Sequence, residues 1–157
     1  MKKRYYIAYG SNLNLSQMFN RCPGSRVIGT AELDGWELLF KGSKTGSYLT
    51  IEENPDSWVP VVAFEVTEKD ERALDIYEGF PNFYYKKEMV LPITGIKTGI
   101  VRTRKVFVYI MHEERPLGIP SSRYMRTCLQ GYDTFGFDEE FLYEALCKSM
   151  EGIACQK

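Results

Sequence analysis

Apolar and polar positions along the chain follow patterns that predict a mixture of strands and helices. Residues 4–9 are rich in aromatic and β-branched side chains, which is typical of a buried strand. Similar runs predict six more strands, at residues 26–31, 35–40, 48–51, 59–66, 84–91 and 104–111. Turn-forming residues at 33–35 and 54–56 are expected to separate the earlier strands, and residues 41–46 to form a short polar loop.

Capping signals predict the helices. Asn14 and Thr67 are expected N-caps, and each has a capping-box partner three residues later, Gln17 and Asp70. The first predicted helix follows Asn14 and ends near residues 23–24, and the second spans residues 68–77. A further helix is predicted from residue 121 or 122 to about residue 131, and the last begins at residues 138–140. About seven short strands with three or four helices predict an α+β fold.

The composition narrows the class of protein. The 157 residues suit a single domain, and a net charge of -1 provides no electrostatic attraction to nucleic acid or to an anionic membrane. The basic residues 1–4 precede an apolar run that is too short for a signal peptide or a membrane-spanning helix. We therefore expect a cytoplasmic protein without a nucleic-acid or membrane partner.

The cysteines and the histidine indicate no metal site. Cys22, Cys128, Cys147 and Cys155 form no C-x-x-C pair and have no zinc-type spacing, so reduced thiols are expected. The single histidine, His112, excludes a multi-histidine site and makes a serine or cysteine nucleophile with a histidine base doubtful. We expect neither a metal nor another cofactor.

The first candidate site is the turn that follows the first strand. Gly10 stands between that strand and the N-cap Asn14, so a tight turn leads directly into a helix. We expect Gly10 to adopt backbone angles closed to other residues. Backbone N–H groups at such a turn can converge on an anion or an oxyanion. A plain strand-to-helix connection is the alternative interpretation.

The second candidate site is Glu78, at the end of the predicted helix 68–77. Gly79 suits the left-handed position that ends a helix, and Pro81 prevents its continuation. The helix macrodipole disfavours a negative charge in the last turn, where local rules favour Lys or Arg. A carboxylate placed against the local rule is expected at a functional site. An exposed glutamate in a solvated turn is the alternative.

The two segments together resemble the γ-glutamylcyclotransferase-like family. The motifs that carry the resemblance are Tyr9-Gly10-Ser11-Asn12-Leu13 with the residues up to Met18, Arg21-Cys22-Pro23-Gly24, Leu74-Asp75-x-x-Glu78-Gly79, Tyr85-Lys86-Lys87-Glu88 and Pro120-Ser121-Ser122-Arg123-Tyr124. Their order and spacing make the match specific. The resemblance implies a small mixed β-barrel or sheet with three to four helices packed around it.

The resemblance also implies an activity, the intramolecular cyclisation of a small-molecule γ-glutamyl substrate. The free α-amine attacks the γ-carbonyl, which releases an amine and leaves 5-oxoproline. Glu78 matches the family's catalytic glutamate, and burial together with the helix C-terminus is expected to raise its pKa. The matching substrate-binding positions are Tyr9, Gly10, Ser11, Asn12, Leu13, Tyr85 and Tyr124.

Four questions stay open at the level of sequence. The alternative function is a non-catalytic, regulatory relative that binds a γ-glutamyl group or another metabolite. Tyr84 and Tyr85 face opposite sides of a strand, so only one of them can line a pocket. The leaving amine is not identified, and residues 41–46 and 116–122 are the candidates for the rim that selects it. The oligomeric state is also open, with a homodimer as one option.

Overall fold

The computed structural model describes residues 3–43 and 46–155, without the side chains of residues 43, 154 and 155. The strands form a closed barrel in the order β1-β3-β2-β4-β5. Their bounds are β1 Arg4–Ala8, β2 Arg26–Ser43, β3 Gly46–Val66, β4 Tyr84–Gly95 and β5 Val101–Met111. Strand β1 pairs antiparallel with β3 and parallel with β5, so the expected small, mixed barrel of an α+β domain is confirmed.

Strands β2 and β3 are longer than predicted. The expected turns at residues 33–35 and 54–56 do not divide them, because the two strands stay paired past both positions. Between the pairs Asp34↔Trp58 and Trp36↔Glu53, only Gly35 intervenes on β2, whereas residues 54–57 intervene on β3. The turn-forming residues therefore produce a bulge within one long hairpin.

The predicted loop at residues 41–46 is also wrong where the structure describes it. Residues 41–43 belong to β2 and Gly46 begins β3, and the pairing continues to Ser43↔Gly46. Residues 44 and 45 lie outside the described residues.

In the described ranges, four α-helices pack around the barrel: α1 Leu15–Arg21, α2 Glu68–Glu78, α3 Ser122–Phe135 and α4 Glu140–Cys155. Helix α3 continues beyond its predicted end near Gly131 and ends before Gly136, which is left-handed with φ 68°. Gly131 is instead a packing position, because an added Cβ there would lie 2.6 Å from the Cβ of Leu13. Helix α3 thus lies directly against the segment that follows β1.

Most of the core lies within the barrel and under the helices. Its largest fully buried side chains include Phe40, Phe64, Phe107 and Tyr132. Within the described residues, no helix combines the length and the apolar character needed to cross a membrane.

Candidate active site

A short 3-10 helix, Ser11–Leu13, forms the turn between β1 and α1. Gly10 precedes it with φ −132° and ψ −127°, which belong neither to the left-handed region nor to the helical or extended one. Space also constrains Gly10, because an added Cβ would lie 3.3 Å from Leu49 Cδ1 and 3.4 Å from the Tyr124 hydroxyl. Residues 10–13 are called the glycine loop below.

The glycine loop presents unpaired backbone donors. The N–H groups of Leu13 and Asn14 donate to the carbonyl oxygens of Gly10 and Ser11, both at 3.0 Å. In the described part of the chain, the N–H groups of Gly10, Ser11 and Asn12 have no protein acceptor, as expected for the first turn of a helix. Leu13 is fully buried beneath the loop and does not line the cavity described below.

Asn14 caps α1 as predicted, but the predicted capping box is incomplete. The Asn14 side chain accepts a hydrogen bond from the N–H of Gln17 at 3.3 Å. The Gln17 side chain donates to the Thr127 hydroxyl of α3 at 3.5 Å rather than returning to the N-cap. The start of α1 is therefore joined to α3, on the same side as the contact between Leu13 and Gly131.

Helix α2 brings Glu78 to the glycine loop. The antiparallel pair Arg4↔Val66 places the start of α2 beside the start of β1. Eleven helical residues at a rise of about 1.5 Å cover ~16 Å, which matches five strand residues at about 3.3 Å each. The end of α2 is therefore level with the end of β1, where the glycine loop begins.

The two ends of α2 agree with the sequence prediction. Thr67 and Asp70 form a complete capping box, and Gly79 ends the helix in the left-handed conformation with φ 64°. The last turn contains no basic residue, so Glu78 has no cation on its own helix to offset the macrodipole there.

Ion pairs hold α2 against the barrel. Lys86 of β4 contacts Glu71 at 2.6 Å and Asp75 at 2.8 Å, and Arg4 of β1 contacts Glu71 at 2.8 Å. The Tyr109 hydroxyl donates to Asp75 at 2.6 Å. These contacts fix the helix one turn before Glu78.

A cavity of about 450 Å³ separates the glycine loop from the end of α2. It is lined by Tyr6, Tyr9, Gly10, Ser11, Asn12, Tyr48, Leu49, Ile76, Tyr77, Glu78, Gly79, Phe83, Tyr84, Tyr109 and Tyr124. The structure thus brings together six of the eight residues selected from the sequence: Tyr9, Gly10, Ser11, Asn12, Glu78 and Tyr124.

The environment of Glu78 favours its protonated form. Burial in the cavity wall raises the pKa of Glu78 to about 8, and the positive charge of Arg21 opposes part of this rise. The surrounding hydroxyls add no charge, because burial raises the pKa values of Tyr6, Tyr9, Tyr84 and Tyr124 well above the ordinary value. A carboxyl group with such a pKa can both accept and donate a proton near neutral pH.

Backbone hydrogen bonds fix the tyrosines of the wall. Tyr9 donates to the carbonyl oxygen of Tyr109 at 2.7 Å, and Tyr84 donates to that of Leu49 at 2.8 Å. The Tyr124 hydroxyl accepts a hydrogen bond from the N–H of Leu49 at 3.1 Å. Tyr84 and Tyr124 are therefore held at one residue of β3.

Tyr84, and not Tyr85, faces the cavity. The Tyr85 hydroxyl donates to the Glu113 carboxylate, and its ring packs on His112 with centroids 5.2 Å apart. Successive side chains of a strand point to opposite faces, so Tyr84 can line the cavity only if Tyr85 points away from it. Tyr85 therefore lies outside the site that its motif suggested.

The predicted rim segments do not line the cavity in the described part of the chain. The residues two positions beyond the end of each segment do line it, namely Tyr48 and Tyr124. The segment 116–118 instead covers the β2–β3 hairpin, where the N–H of Gly42 donates to the carbonyl oxygen of Pro116 at 3.1 Å.

Sequence reasoning missed Arg21 and several aromatic residues of the wall. The Arg21 guanidinium carbon lies 3.3 Å from the centre of the Tyr77 ring, and Arg21 also donates to the amide oxygen of Asn12. The Asn12 amide nitrogen donates to the Tyr6 hydroxyl at 2.9 Å. The Asn12 side chain is thus occupied by protein contacts. The position of Arg21 in a matching motif was the available signal.

The part of the chain that the structure describes places no metal-binding cluster around the cavity. In the described ranges, no three His, Cys, Asp or Glu side chains lie close enough together to hold an ion. The ring nitrogen Nε2 of His112 lies 2.7 Å from the carbonyl oxygen of Pro81, outside the cavity.

Several solved structures share this fold. A γ-glutamyl cyclotransferase is 22% identical with a TM-score of 0.77, and the match covers 92% of this chain and 86% of the other. An uncharacterized protein from Homo sapiens is 22% identical with a TM-score of 0.74, covering 92% and 87%. A yeast γ-glutamyl cyclotransferase described as specific to glutathione is 12% identical with a TM-score of 0.64, covering 96% and 97%.

The family itself is identified from the sequence. No curated protein is similar enough to this chain to match. A family model described as "Gamma-glutamyl cyclotransferase, AIG2-like" matches residues 6–126, which include the glycine loop, Glu78 and Tyr124. Because this match spans well over half of the 157 residues, the chain belongs to the γ-glutamyl cyclotransferase, AIG2-like family.

Proposed function

We propose that this protein cyclises a γ-glutamyl amino acid or amine to 5-oxoproline and releases the amine. The observation that carries the proposal is the pairing of Glu78, a carboxyl group with a pKa raised to about 8, with unpaired loop N–H groups in one cavity. The reaction needs one proton carrier and one oxyanion site. Membership of the cyclotransferase family supports the same reaction class.

In the first step, Glu78 takes a proton from the α-ammonium group of the substrate. An α-amino group has a pKa of about 7.7–8.0, whereas an ordinary glutamate has one of about 4.3, so the transfer to an ordinary glutamate costs about 5 kcal/mol. With the pKa of Glu78 raised to about 8, the transfer is nearly thermoneutral. Burial of Glu78 thus removes most of this cost.

In the second step, the freed amine attacks the γ-carbonyl carbon of the same molecule. A C–N bond forms, and the negative charge moves to the carbonyl oxygen, where the free N–H groups of Gly10, Ser11 and Asn12 stabilise it. The protonated Glu78 then donates its proton to the leaving nitrogen, the original C–N bond breaks, and the oxyanion becomes a carbonyl again. The attack has left the ring nitrogen as an N⁺H₂ group, which loses its extra proton to Glu78, and Glu78 passes this proton to the released amine. The products are 5-oxoproline and the free amine, and Glu78 returns to its starting form.

The rest of the wall shapes the substrate for this attack. Tyr9, Tyr84 and Tyr124 hold fixed positions through their backbone hydrogen bonds. A rigid cavity that folds the γ-glutamyl chain toward its own carbonyl supplies the proximity that an intramolecular reaction needs. No metal, cofactor, nucleic acid or membrane takes part in this scheme, and we expect the protein to act in the cytoplasm.

The test is 5-oxoproline release from γ-glutamyl-alanine, γ-glutamyl-ε-lysine and glutathione. We expect release from at least one of them, unchanged by EDTA, and loss of about 10³-fold or more in Glu78→Gln. His112→Ala is the control and should keep nearly full activity, because His112 lies outside the cavity. A Glu78→Gln protein within tenfold of wild type would contradict the catalytic role.

The alternative function is a regulatory protein that binds a γ-glutamyl compound without turnover. The raised pKa of Glu78 argues against it, because a binding site gains nothing from a carboxyl group poised for proton transfer. Calorimetric binding of the same panel without any 5-oxoproline would favour the alternative.

A further inference from the structure

The outer end of the cavity is built from aromatic and aliphatic side chains. Three of them are well exposed at the opening: Tyr48 with 42% of its surface accessible, Tyr77 with 44% and Ile76 with 83%. Phe83 lines the cavity beside them and is partly buried. These four residues are called the apolar mouth below. Continuous apolar surface that stays open to solvent and joins a ligand cavity marks a place where part of the ligand binds.

The apolar mouth is held in place by ring contacts. The Tyr48 ring meets Phe83 at a centroid distance of 6.3 Å and Tyr124 at 5.2 Å, both edge to face. The Arg115 guanidinium carbon lies 4.1 Å from the centre of the Phe83 ring. The rings therefore form a preformed wall that needs little ordering when a ligand binds.

The charges next to the apolar mouth are positive, because the guanidinium groups of Arg21 and Arg115 lie against the Tyr77 and Phe83 rings. Glu78 is the only Asp, Glu, Lys or Arg side chain that lines the cavity in the described residues. The γ-glutamyl group has to reach both Glu78 and the glycine loop, so the variable amine extends toward the opening. There it meets Tyr48 and Phe83, with no carboxylate along the wall to pair with a cationic group.

We propose that the apolar mouth is a subsite for the leaving amine and selects amines with a bulky apolar side chain over small or cationic ones. This proposal rests on the proposed function, because it places the γ-glutamyl group at Glu78. Phenylalanine and leucine side chains are of the right class, since they remove apolar surface from water and can pack against the edges of Tyr48 and Phe83.

The test compares kcat/KM for γ-glutamyl-phenylalanine, γ-glutamyl-leucine, γ-glutamyl-alanine and γ-glutamyl-ε-lysine, scored by 5-oxoproline. We expect kcat/KM for the first two substrates to exceed that for γ-glutamyl-alanine by at least about tenfold, because additional methylene groups bound in an apolar pocket change kcat/KM by this amount. The lysine compound should fall below them. Equal or better turnover of γ-glutamyl-alanine or of the lysine compound would overturn the proposal while leaving the proposed function intact. Absence of 5-oxoproline from all four would instead reject the proposed function.

Substitutions at the apolar mouth test whether its residues cause the preference for apolar leaving amines. Tyr48→Ala should reduce the ratio of kcat/KM for the phenylalanine and alanine substrates to nearly one. Ile76→Asp should reduce the same ratio, and its exposure makes it a substitution that the fold tolerates. Tyr143→Ala is the matched control, because Tyr143 is 39% exposed on α4 and does not line the cavity. A ratio unchanged in both mouth variants would overturn the assignment of the subsite.

Discussion

The guanidinium carbon of Arg21 lies 3.3 Å from the centre of the Tyr77 ring, and Tyr77 directly precedes Glu78 in the sequence. This stacking joins the last residue of α1 to the last turn of α2. The hydroxyls of Ser11 and Tyr77 hydrogen-bond at 3.1 Å, so the same ring also contacts the glycine loop. Tyr77 thus connects the two halves of the site.

Arg21→Gln should move the acid limb of the pH dependence of kcat/KM to higher pH. The charge of Arg21 lowers the pKa of Glu78, so its loss leaves burial unopposed, and Glu78 becomes a base only at higher pH. The neighbouring hydroxyls of Tyr6, Tyr9 and Tyr84 stay neutral in this range.

Two variants complete this experiment. Arg21→Lys retains the charge, so its acid limb should lie close to the pH of the wild-type limb, although part of the stacking on Tyr77 is lost. Arg72→Gln removes a charge from an exposed position of α2 and should leave the limb where it is. An acid limb that does not move in Arg21→Gln would show that this charge has no influence on Glu78.

Glu78→Gln should stabilise the fold, and increasingly so as the pH rises. The folded-state pKa of about 8 is above the unfolded value of about 4.3, so the folded state holds an extra proton between these values. The wild type therefore loses stability as the pH rises through this window, and the variant lacks this loss. Since one pKa unit corresponds to about 1.4 kcal/mol, we expect the free energy of unfolding of the variant to exceed that of the wild type by at least ~1 kcal/mol at pH 9.

Urea denaturation at pH 5 and pH 9 measures this difference. The gain should be smaller at pH 5, where Glu78 is protonated in the folded wild type. A variant less stable than the wild type at pH 9 would mean that the Glu78 charge supports the fold.

Tyr84→Phe should lower kcat/KM by about fivefold, whereas Tyr85→Phe should stay within about twofold. Removing the Tyr84 hydroxyl leaves the carbonyl oxygen of Leu49 without a buried donor, and one such hydrogen bond contributes about 1 kcal/mol. The Tyr85 hydroxyl hydrogen-bonds to Glu113, outside the cavity. Parallel kinetics of the two variants provide a matched pair, and the reverse order would imply that β4 is shifted by one residue.

Gly10→Val should reduce turnover by about 100-fold, far more than Ser11→Ala. A branched side chain at position 10 has to displace Leu49 or Tyr124, which the structure places within 3.4 Å of an added Cβ. A shift of about 1 Å in the loop N–H groups is enough for such a loss. Ser11→Ala removes only the hydroxyl that contacts Tyr77. Near-wild-type kinetics of a folded Gly10→Val protein, checked by circular dichroism, would show that the loop does not bind substrate.

Helix α2 was predictable almost to the residue because its signals are local. The capping box at Thr67 and the left-handed Gly79 each depend on a few neighbouring residues. The turn signal around Gly35 was equally local, and there it failed. Gly35 does take a positive φ of 84°, but the pairing of β2 with β3 on both sides turns it into a bulge. Long-range pairing overrode the local preference.

The candidate site divides in the same way. Gly10 and Glu78 belong to short motifs, so they could be selected from the sequence. Tyr6 and Tyr109 lie on β1 and β5, and only the parallel pairing that closes the barrel brings them to the same cavity. No spacing along the chain predicts that contact. The choice between Tyr84 and Tyr85 likewise depends on the register of β4, which its sequence leaves open.

The close contact between Gly131 and Leu13 determines how short a working version of this protein can be. Tyr124 is the last of the described residues that line the cavity, yet the surface that supports the glycine loop lies two turns further along α3. A fragment that stops soon after Tyr124 retains every group of the proposed mechanism but loses the part of α3 that packs against the glycine loop. Truncation and domain grafting should therefore keep the chain intact at least to Gly136, where α3 ends.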